Sequence, residues 1–347
     1  MKYIITAGGT GGHIYPALTI AKALKGDEVL FIASKKDLDK SILSKVDFKI
    51  TIKYWHLSGF LRKLTPKNII LNIINVFKLL ICIVRSIVLI IKFKPDAVIG
   101  FGGYISFPIV FIASIFNIKT IIHEQNSYPG VVNRQLGKRV DKVCITYKAS
   151  EVYFDKKKVV YTSNPRIDVV NENNEHSYIK YDVMSIGGSL GAEVINENIL
   201  EYAKNNSNKQ VKLITGERYY KEYEDIDLKN LKIKEYSEDI FTDIRQSDVI
   251  ITRGGATTLL ELVAMEKLII VIPSINVVAD HQTTNAEAFE SKNMLKTIPE
   301  KELDESRLST EINDIIKHRD VYISNIRNNK DRKATQKMIK VIKDGRN

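Results

Sequence analysis

Four glycine-rich turns stand where this sequence passes from a β-rich run into a helical one. They are Gly8-Gly9-Thr10-Gly11-Gly12-His13, Gly100-Phe101-Gly102-Gly103-Tyr104, Gly187-Gly188-Ser189-Leu190-Gly191-Ala192 and Arg253-Gly254-Gly255-Ala256-Thr257-Thr258-Leu259-Leu260-Glu261. Glycine there lets the backbone turn tightly or approach a ligand, and the helix that follows presents N–H groups to an anion. One such turn alone is as readily a tight connection as a binding loop; four in one chain point to phosphate or sugar binding. Neither Gly8–Gly12 nor Gly187–Ala192 reads G-x-G-x-x-G, and Ser34-Lys35-Lys36 follows the second strand where a dinucleotide site has an acidic ribose ligand. The Gly137-Lys138 pair lacks the rest of a Walker loop, which removes a P-loop NTPase. No metal site is expected: Cys82 and Cys144 belong to no C-x-x-C or Cys/His cluster, and H-E-x-x-H is absent. The two D-x-D matches, Asp37-Leu38-Asp39 and Asp225-Ile226-Asp227, lie in charged surroundings and read as solvated faces.

The turns need strands and helices to hold them. β-Rich runs at Tyr3–Ala7, Glu28–Ala33, Ala97–Gly100, Thr120–Glu124, Lys142–Thr146, Asp182–Ile186, Val211–Thr215, Val249–Thr252 and Leu268–Ile272 alternate with helical stretches, the pattern of parallel sheets covered by helices on both faces. In the first of those helices Ile14, Ala17, Leu18, Ala21 and Leu24 share a face, with Pro16 expected in its first turn. Asn164-Pro165-Arg166 and the polar stretch Asn171–Ser177 read as a linker. The run Tyr3–Gly12 is echoed by Asp182–Ala192, so the expected α/β architecture is two doubly wound Rossmann-like domains facing across a cleft, with ligands at the strand carboxyl ends. The domains are expected at 1–163 and 164–347, with the basic last helix a candidate to pack back on the first.

The net charge of +11 favours an anionic partner. No RNP, KH, zinc-finger or helix-turn-helix signature is present, so nucleic acid is not expected. The N-terminal residues carry no signal-peptide pattern, and two cysteines fit a reducing cytosol. The apolar run Ile69–Ile91 reaches the roughly 20 residues of a bilayer crossing. Its polar members Asn72, Asn75, Lys78, Arg85 and Ser86, with Cys82, recur on one helical stripe. That predicts an amphipathic helix with a wet stripe, either largely buried in its domain or meeting anionic lipid with its apolar side beside Arg62, Lys63, Lys67, Lys92 and Lys94.

With these motifs in order, the chain resembles the bacterial UDP-N-acetylglucosamine transferases that convert the first lipid-linked wall precursor to the second, within the GT-B glycosyltransferase fold. The resemblance spans nearly the whole chain. It is carried by Gly8–His13, Gly102-Gly103-Tyr104-Ile105-Ser106-Phe107-Pro108, His123-Glu124-Gln125-Asn126, Asn164-Pro165-Arg166, Gly187–Ala192, Arg253–Glu261 and Asp280-His281-Gln282-Thr283-Thr284-Asn285. Ser163 stands where glycine is usual, and Gly254 where a serine commonly follows the arginine.

The resemblance implies that UDP-N-acetylglucosamine sits mainly on the second domain. Its pyrophosphate would lie against the backbone around Ser189 and the helix start at Ala256, Thr257, Thr258, Leu259 and Leu260, with Arg166 adding charge. Glu261 would accept the ribose hydroxyls, the loop at Tyr236-Ser237 would edge the uracil, and Gln282 and Asn285 would read the sugar. Thr10, Gly11, Gly12 and Asn126 would close over the donor from the first domain. Transfer to a lipid-linked muramyl-pentapeptide pyrophosphate then needs a base for the acceptor hydroxyl. His13 leads, because a helix N-terminus disfavours imidazolium; Glu124 is the alternative. The implied enzyme uses no cofactor and no metal and works at the cytoplasmic face of the membrane. A UDP-N-acetylglucosamine epimerase or a diacylglycerol glycosyltransferase on the same fold is the competing reading.

Overall fold

A computed structural model describes residues 1–61, 63, 65–172, 178–188, 191–274 and 281–345. The chain divides into two compact units, Met1–Asp168 with Lys333–Asn347, and Val169–Arg332. The first runs β1 (Lys2–Thr6), α1 (Gly11–Ala23), β2 (Glu28–Ser34), α2 (Asp37–Leu43), β3 (Thr51–Trp55), α3 (Pro66–Phe93), β4 (Ala97–Gly100), α4 (Ser106–Ile115), β5 (Lys119–Glu124), α5 (Val131–Gly137), β6 (Lys142–Ile145) and β7 (Val159–Tyr161). The division falls inside α6 (Arg166–Glu172).

All seven strands of the first unit pair in parallel, in the order β3-β2-β1-β4-β5-β6-β7. Alternate residues of a strand point to opposite faces, so Ile5 joins Ile14, Ala17 and Phe31 in one core layer while Ile4 joins Leu30, Val98 and Ile109 in the other. Helices α1 and α4 therefore cover opposite faces although β1 and β4 are neighbours. This is the point where the strand order reverses and where such sheets open a crevice. Pro16 falls deeper in α1 than its expected first-turn place, because the helix already begins at Gly11.

The second unit runs β8 (Tyr181–Ile186), α7 (Glu193–Asn205), β9 (Val211–Ile214), α8 (Tyr220–Tyr223), β10 (Leu231–Lys234), α9 (Ile240–Arg245), β11 (Ser247–Thr252), α10 (Ala256–Ala264), β12 (Leu268–Val271), α11 (His281–Glu290), β13 (Lys296–Thr297), α12 (Glu305–Lys317) and α13 (Arg319–Asn329). Its parallel sheet is ordered β10-β9-β8-β11-β12-β13, with Val183, Ile199, Leu213, Val249, Ile270 and Ile312 in its core. The reversal here lies between β8 and β11. All four glycine turns thus follow the two strands that flank a reversal point, two in each unit.

The last helix, α14 (Ala334–Lys343), belongs to the first unit, where Met338 and Ile342 enter the core layer beside α1. Lys119 at the start of β5 donates to the carbonyls of Val341 (2.7 Å), Ile342 (3.1 Å) and Asp344, closing the end of this helix with a cation that its dipole favours.

In helix α3 the expected wet stripe is turned inward, and of the two expected arrangements the one with the apolar side facing outward is found. Asn75, Cys82 and Ser86, members of the predicted wet stripe, are buried, while Phe77 (62% exposed), Leu80 (52%) and Val84 (60%) face outward. The asparagines turn inward because they satisfy the backbone of the preceding loop: Asn72 makes a two-way pair with Leu61, and Asn75 donates to the Gly59 carbonyl at 3.1 Å. Ser86 donates to the Cys82 carbonyl at 2.7 Å, so its hydroxyl enters the interior already paired.

Replacing Met338 by Ala should lower the unfolding free energy by about 2–4 kcal/mol through the cavity it leaves. Denaturant titration followed by a first-unit fluorescence probe such as Trp55 measures it.

Candidate active site

In the first unit the turn after β1 is built around a buried carboxylate. Asp39, fully buried on α2, accepts the Gly9 N–H (3.0 Å to Oδ1, 3.1 Å to Oδ2), the Ser34 N–H (3.1 Å) and the Ser34 hydroxyl (2.6 Å). A Cβ at Gly8 would lie 2.6 Å from Oδ2 of Asp39, so only glycine admits the acid so close. The solvated-face reading of Asp37-Leu38-Asp39 holds for Asp37 and fails for Asp39, whose alternate helical position turns it under the glycine turn.

His13, half-buried in the first turn of α1, has Nδ1 3.1 Å from the Thr10 hydroxyl and 3.3 Å from the Gly8 carbonyl. A carbonyl can only accept, so its bond to Nδ1 requires Nδ1–H and leaves Nε2 as the lone-pair nitrogen of the neutral ring. Nε2 lies over Gly102 of the turn after β4: a Cβ there would sit 3.0 Å from it. Desolvation lowers the imidazole pKa, opposed by the Gly8 carbonyl and the charge of Asp39. Burial thus disfavours the imidazolium form.

Glu124 is turned into its own loop. It is buried, and both oxygens are taken: Oε1 by the Asn126 N–H (2.9 Å) and amide (3.1 Å), Oε2 by the Gly130 N–H (3.1 Å) and the Asn133 amide (2.9 Å). Burial raises its pKa against these bonds. A carboxylate so engaged shapes the loop that presents Asn126. Beside it His123 donates through Nε2 to the Ser163 carbonyl at 2.9 Å and is held at a pKa of about 4 by burial. Ser163 itself has φ of 60°, the left-handed conformation in which glycine is the ordinary choice. Arg166 belongs to the first unit, its guanidinium 4.8 Å from the Tyr15 ring centroid. Tyr104 is 40% exposed and its ring covers Gly59, where a Cβ would lie 2.3 Å away.

In the second unit Gly191 has φ of 77°, and a Cβ on it would meet the Thr215 carbonyl at 2.0 Å. Ser189, Leu190 and Asp280 lie outside the described residues, as do Arg62 and most of the predicted linker, 173–177. At the other turn α10 starts at Ala256. The Leu259 N–H is already bonded to the Gly255 carbonyl at 3.0 Å, and the Leu259 and Leu260 side chains are buried. The Leu259 N–H and both side chains are thus engaged by the helix and the core, and the N–H groups of the first turn, Ala256 to Thr258, precede the helix's own hydrogen-bond ladder. Glu261 is half-buried on α10. Asn285 is buried and donates to the Gly254 carbonyl at 3.1 Å, while Gln282 accepts the Ser274 N–H at 2.8 Å. Gly254 has its own reason to lack a side chain, since a Cβ would sit 2.3 Å from the Gln282 carbonyl. Ser237, on the loop after the edge strand β10, donates to Asp243 at 2.6 Å, and Asp243 pairs with the buried Lys212. Arg253 is turned away into an ion pair with Glu300.

Sequence reasoning missed Asp39 and Asn133. Asp39 left a trace only in its place just after the strand that neighbours the first glycine turn. Asn133 left none, because it acts on the backbone of a loop distant in sequence. Among the described residues, no group of three or more His, Cys, Asp or Glu is arranged to hold a metal ion.

Two parallel doubly wound sheets, each with glycine turns at its reversal point, are the GT-B architecture of two-domain nucleotide-sugar enzymes. The N-terminal domain of glycosyltransferase family 28 matches residues 3–145, and the C-terminal domain of that family matches residues 183–342. The chain belongs to this family. The protein is 37% identical to a UDP-N-acetylglucosamine–N-acetylmuramyl-(pentapeptide) pyrophosphoryl-undecaprenol N-acetylglucosamine transferase of Acetivibrio thermocellus, over 99% of this chain and 98% of that one. It is 36% identical to the protein of the same name from Flavobacterium psychrophilum, over 87% and 86%. Among solved structures, MurG of Acinetobacter baumannii superposes with a TM-score of 0.75 at 26% identity, covering 98% of this chain and 99% of the other. A UDP-GlcNAc 2-epimerase of Neisseria meningitidis shares the fold at 16% identity and a TM-score of 0.68, covering 99% of each chain.

Changing Ser163 to Gly should raise stability by about 1 kcal/mol, as relief of left-handed strain and removal of a buried unpaired hydroxyl exceed the added backbone entropy. Thermal unfolding reads it out. Gly102→Ala, strained at φ of 98° and crowding Nε2, should cost about 1–2 kcal/mol and lower turnover more than tenfold.

Proposed function

We propose that the protein transfers N-acetylglucosamine from UDP-N-acetylglucosamine to the muramyl sugar of a lipid-linked muramyl-pentapeptide pyrophosphate, the glycosyl-transfer step that completes the disaccharide unit of peptidoglycan. The observation that carries this reading is the 36–37% identity, over most or all of the chain, to relatives that bear this activity in their names. The epimerase likeness, at 16% identity, speaks for the fold alone.

Inverting transfer forms a bond from the acceptor oxygen to the anomeric carbon as the bond to the UDP oxygen breaks, so the site must take a proton and receive a pyrophosphate. We assign the proton to Nε2 of His13, whose lone pair and neutral ring suit a base. Glu124 is assigned to holding the Asn126 loop. The first turn of α10, Ala256 to Thr258, and the turn at Ser189 receive the donor pyrophosphate, Glu261 the ribose, the backbone at Tyr236-Ser237 the uracil, and Gln282 the sugar. Asn285 holds the Gly254 turn in shape. Thr10, Gly11 and Gly12 place His13, and Arg166 offers its charge to a substrate phosphate from the first unit.

The exposed face of α3, ringed by exposed Lys63, Lys67, Lys92 and Lys94, supports docking on an anionic bilayer at the cytoplasmic side. Although α3 is long and apolar enough to span a membrane, its inner stripe is packed in the first unit, which supports a peripheral attachment.

UDP release from UDP-N-acetylglucosamine with chelator present should depend on the lipid acceptor and yield a disaccharide lipid. Release without acceptor, or formation of an epimerised UDP-sugar, would reject the reading. His13→Ala should lower kcat by roughly 10²–10⁴, measured in the same assay. The double change Phe77→Asp and Leu80→Asp should abolish sedimentation with anionic liposomes while leaving UDP binding intact; unchanged sedimentation would remove α3 from the docking surface.

A further inference from the structure

The Gly8 carbonyl that faces His13 and the Gly9 N–H that Asp39 holds belong to the same peptide group. The carboxylate and the imidazole thus sit on opposite ends of one amide: Asp39 Oδ1 is 3.0 Å from the Gly9 nitrogen, and His13 Nδ1 is 3.3 Å from the Gly8 oxygen. An amide whose N–H is bonded to an anion pushes charge onto its oxygen and becomes a stronger acceptor. We propose that Asp39 is a positioning residue that acts on His13 through the Gly8–Gly9 peptide, fixing Nδ1 as the protonated nitrogen and making Nε2 more basic.

The geometry leaves this peptide little other freedom. Gly9 has φ of 91°, and the Gly8 carbonyl is walled in by Gly103, where a Cβ would come within 2.2 Å of it. Asp39 is fixed in turn by both donors of Ser34 and is fully buried, so its charge reaches the peptide unscreened by water. During transfer the acceptor proton moves to Nε2, the Nδ1 proton stays on its nitrogen, and the resulting imidazolium is held by the Gly8 oxygen. Among the described residues, Tyr15 packs on this turn at Gly11 with the Arg166 guanidinium 4.8 Å from its ring, and three further ionisable groups face it. Lys36 brings its Nζ within 3.9 Å of a Cβ built at Gly9, neutral His123 lies below on β5, and Glu124 bonds to Asn133, whose amide nitrogen is 3.7 Å from a Cβ built at Gly102. Asp39 is the only one of them joined to the imidazole through a single peptide.

This inference rests on His13 as the base, and its test separates the two. Full-length protein labelled with ¹⁵N-histidine, its His13 signal assigned by His13→Ala, reports tautomer and pKa directly by NMR. The neutral ring should carry its proton on Nδ1. In Asp39→Asn, which keeps the shape of the side chain and removes its charge, the His13 pKa should fall by roughly half a unit or more. The acid limb of kcat against pH should move to lower pH with it, and the plateau should drop; Asp39→Glu should restore part of both. A neutral ring protonated on Nε2 in the unaltered protein would overturn the proposal even if the Asn variant did not fold. So would an unshifted His13 pKa in folded Asp39→Asn, whatever the loss of rate, since a purely structural role lowers turnover without moving the limb. Normal turnover of His13→Ala would reject the base assignment itself, leaving the NMR result to judge the peptide link alone.

Discussion

Backbone packed on backbone at the carboxyl ends of the strands is the constraint on which the rest of the site depends. In the first unit the space of a Gly103 side chain is taken by the Gly8 carbonyl; in the second, Gly191 abuts the Thr215 carbonyl and Gly254 the Gln282 carbonyl. Two main chains at this distance leave no rotamers to adjust, so each turn is set by its neighbours and not by flexible side chains. The N–H groups at the helix starts are then placed before any ligand arrives, which is what electrostatic stabilisation of a leaving pyrophosphate demands.

The same economy governs the polar interior. Glu124 is buried with both oxygens matched to donors of its own loop, and Asn285 and Gln282 each close a backbone group of a neighbouring turn. A buried polar group costs free energy unless paired, and here the pairing is spent on shaping the loops around the site. Helix α3 is the counterpart at the surface. Its asparagines point inward to hold the 59–61 loop, and several of its apolar side chains, among them Ile73, Phe77, Leu80 and Val84, are left outside, forgoing about 1.5–3 kcal/mol per side chain that burial would have gained. A bilayer surface returns that loss, and water does not.

Much of the fold was legible. The central strands are buried on both faces and read as continuous apolar runs, so all nine runs named from sequence correspond to strands. Missed were β3, β7, β10 and β13, the edge strands of the two sheets. Edges carry polar and charged residues, as Leu231-Lys232-Ile233-Lys234 shows, and so lose the signal that marks an interior strand. Helical periodicity grouped Asn75, Cys82 and Ser86 on one stripe of α3, with Arg85 the exposed exception, but could not tell which side faces protein, because that depends on a loop's unpaired backbone. The glycine turns announced the site, and the roles of Asp39, Asn133 and Asn285 stayed hidden because each bonds to main chain, which every residue type possesses. Ser163 was marked as a departure, and its left-handed φ explains why glycine is the usual residue there.

The return of α14 to the first unit has a consequence for how the protein is made. Met338 and Ile342 fill the same core layer as Ile5 and Phe31, and Lys119 waits near the start of β5 for carbonyls more than two hundred residues downstream. As the chain leaves the ribosome, the second unit can close as soon as its own residues have emerged, while the first keeps an open flank on its α1 side until α14 has followed. The unit that starts earlier in the chain is therefore the one completed later, and α14 is the clasp that closes it.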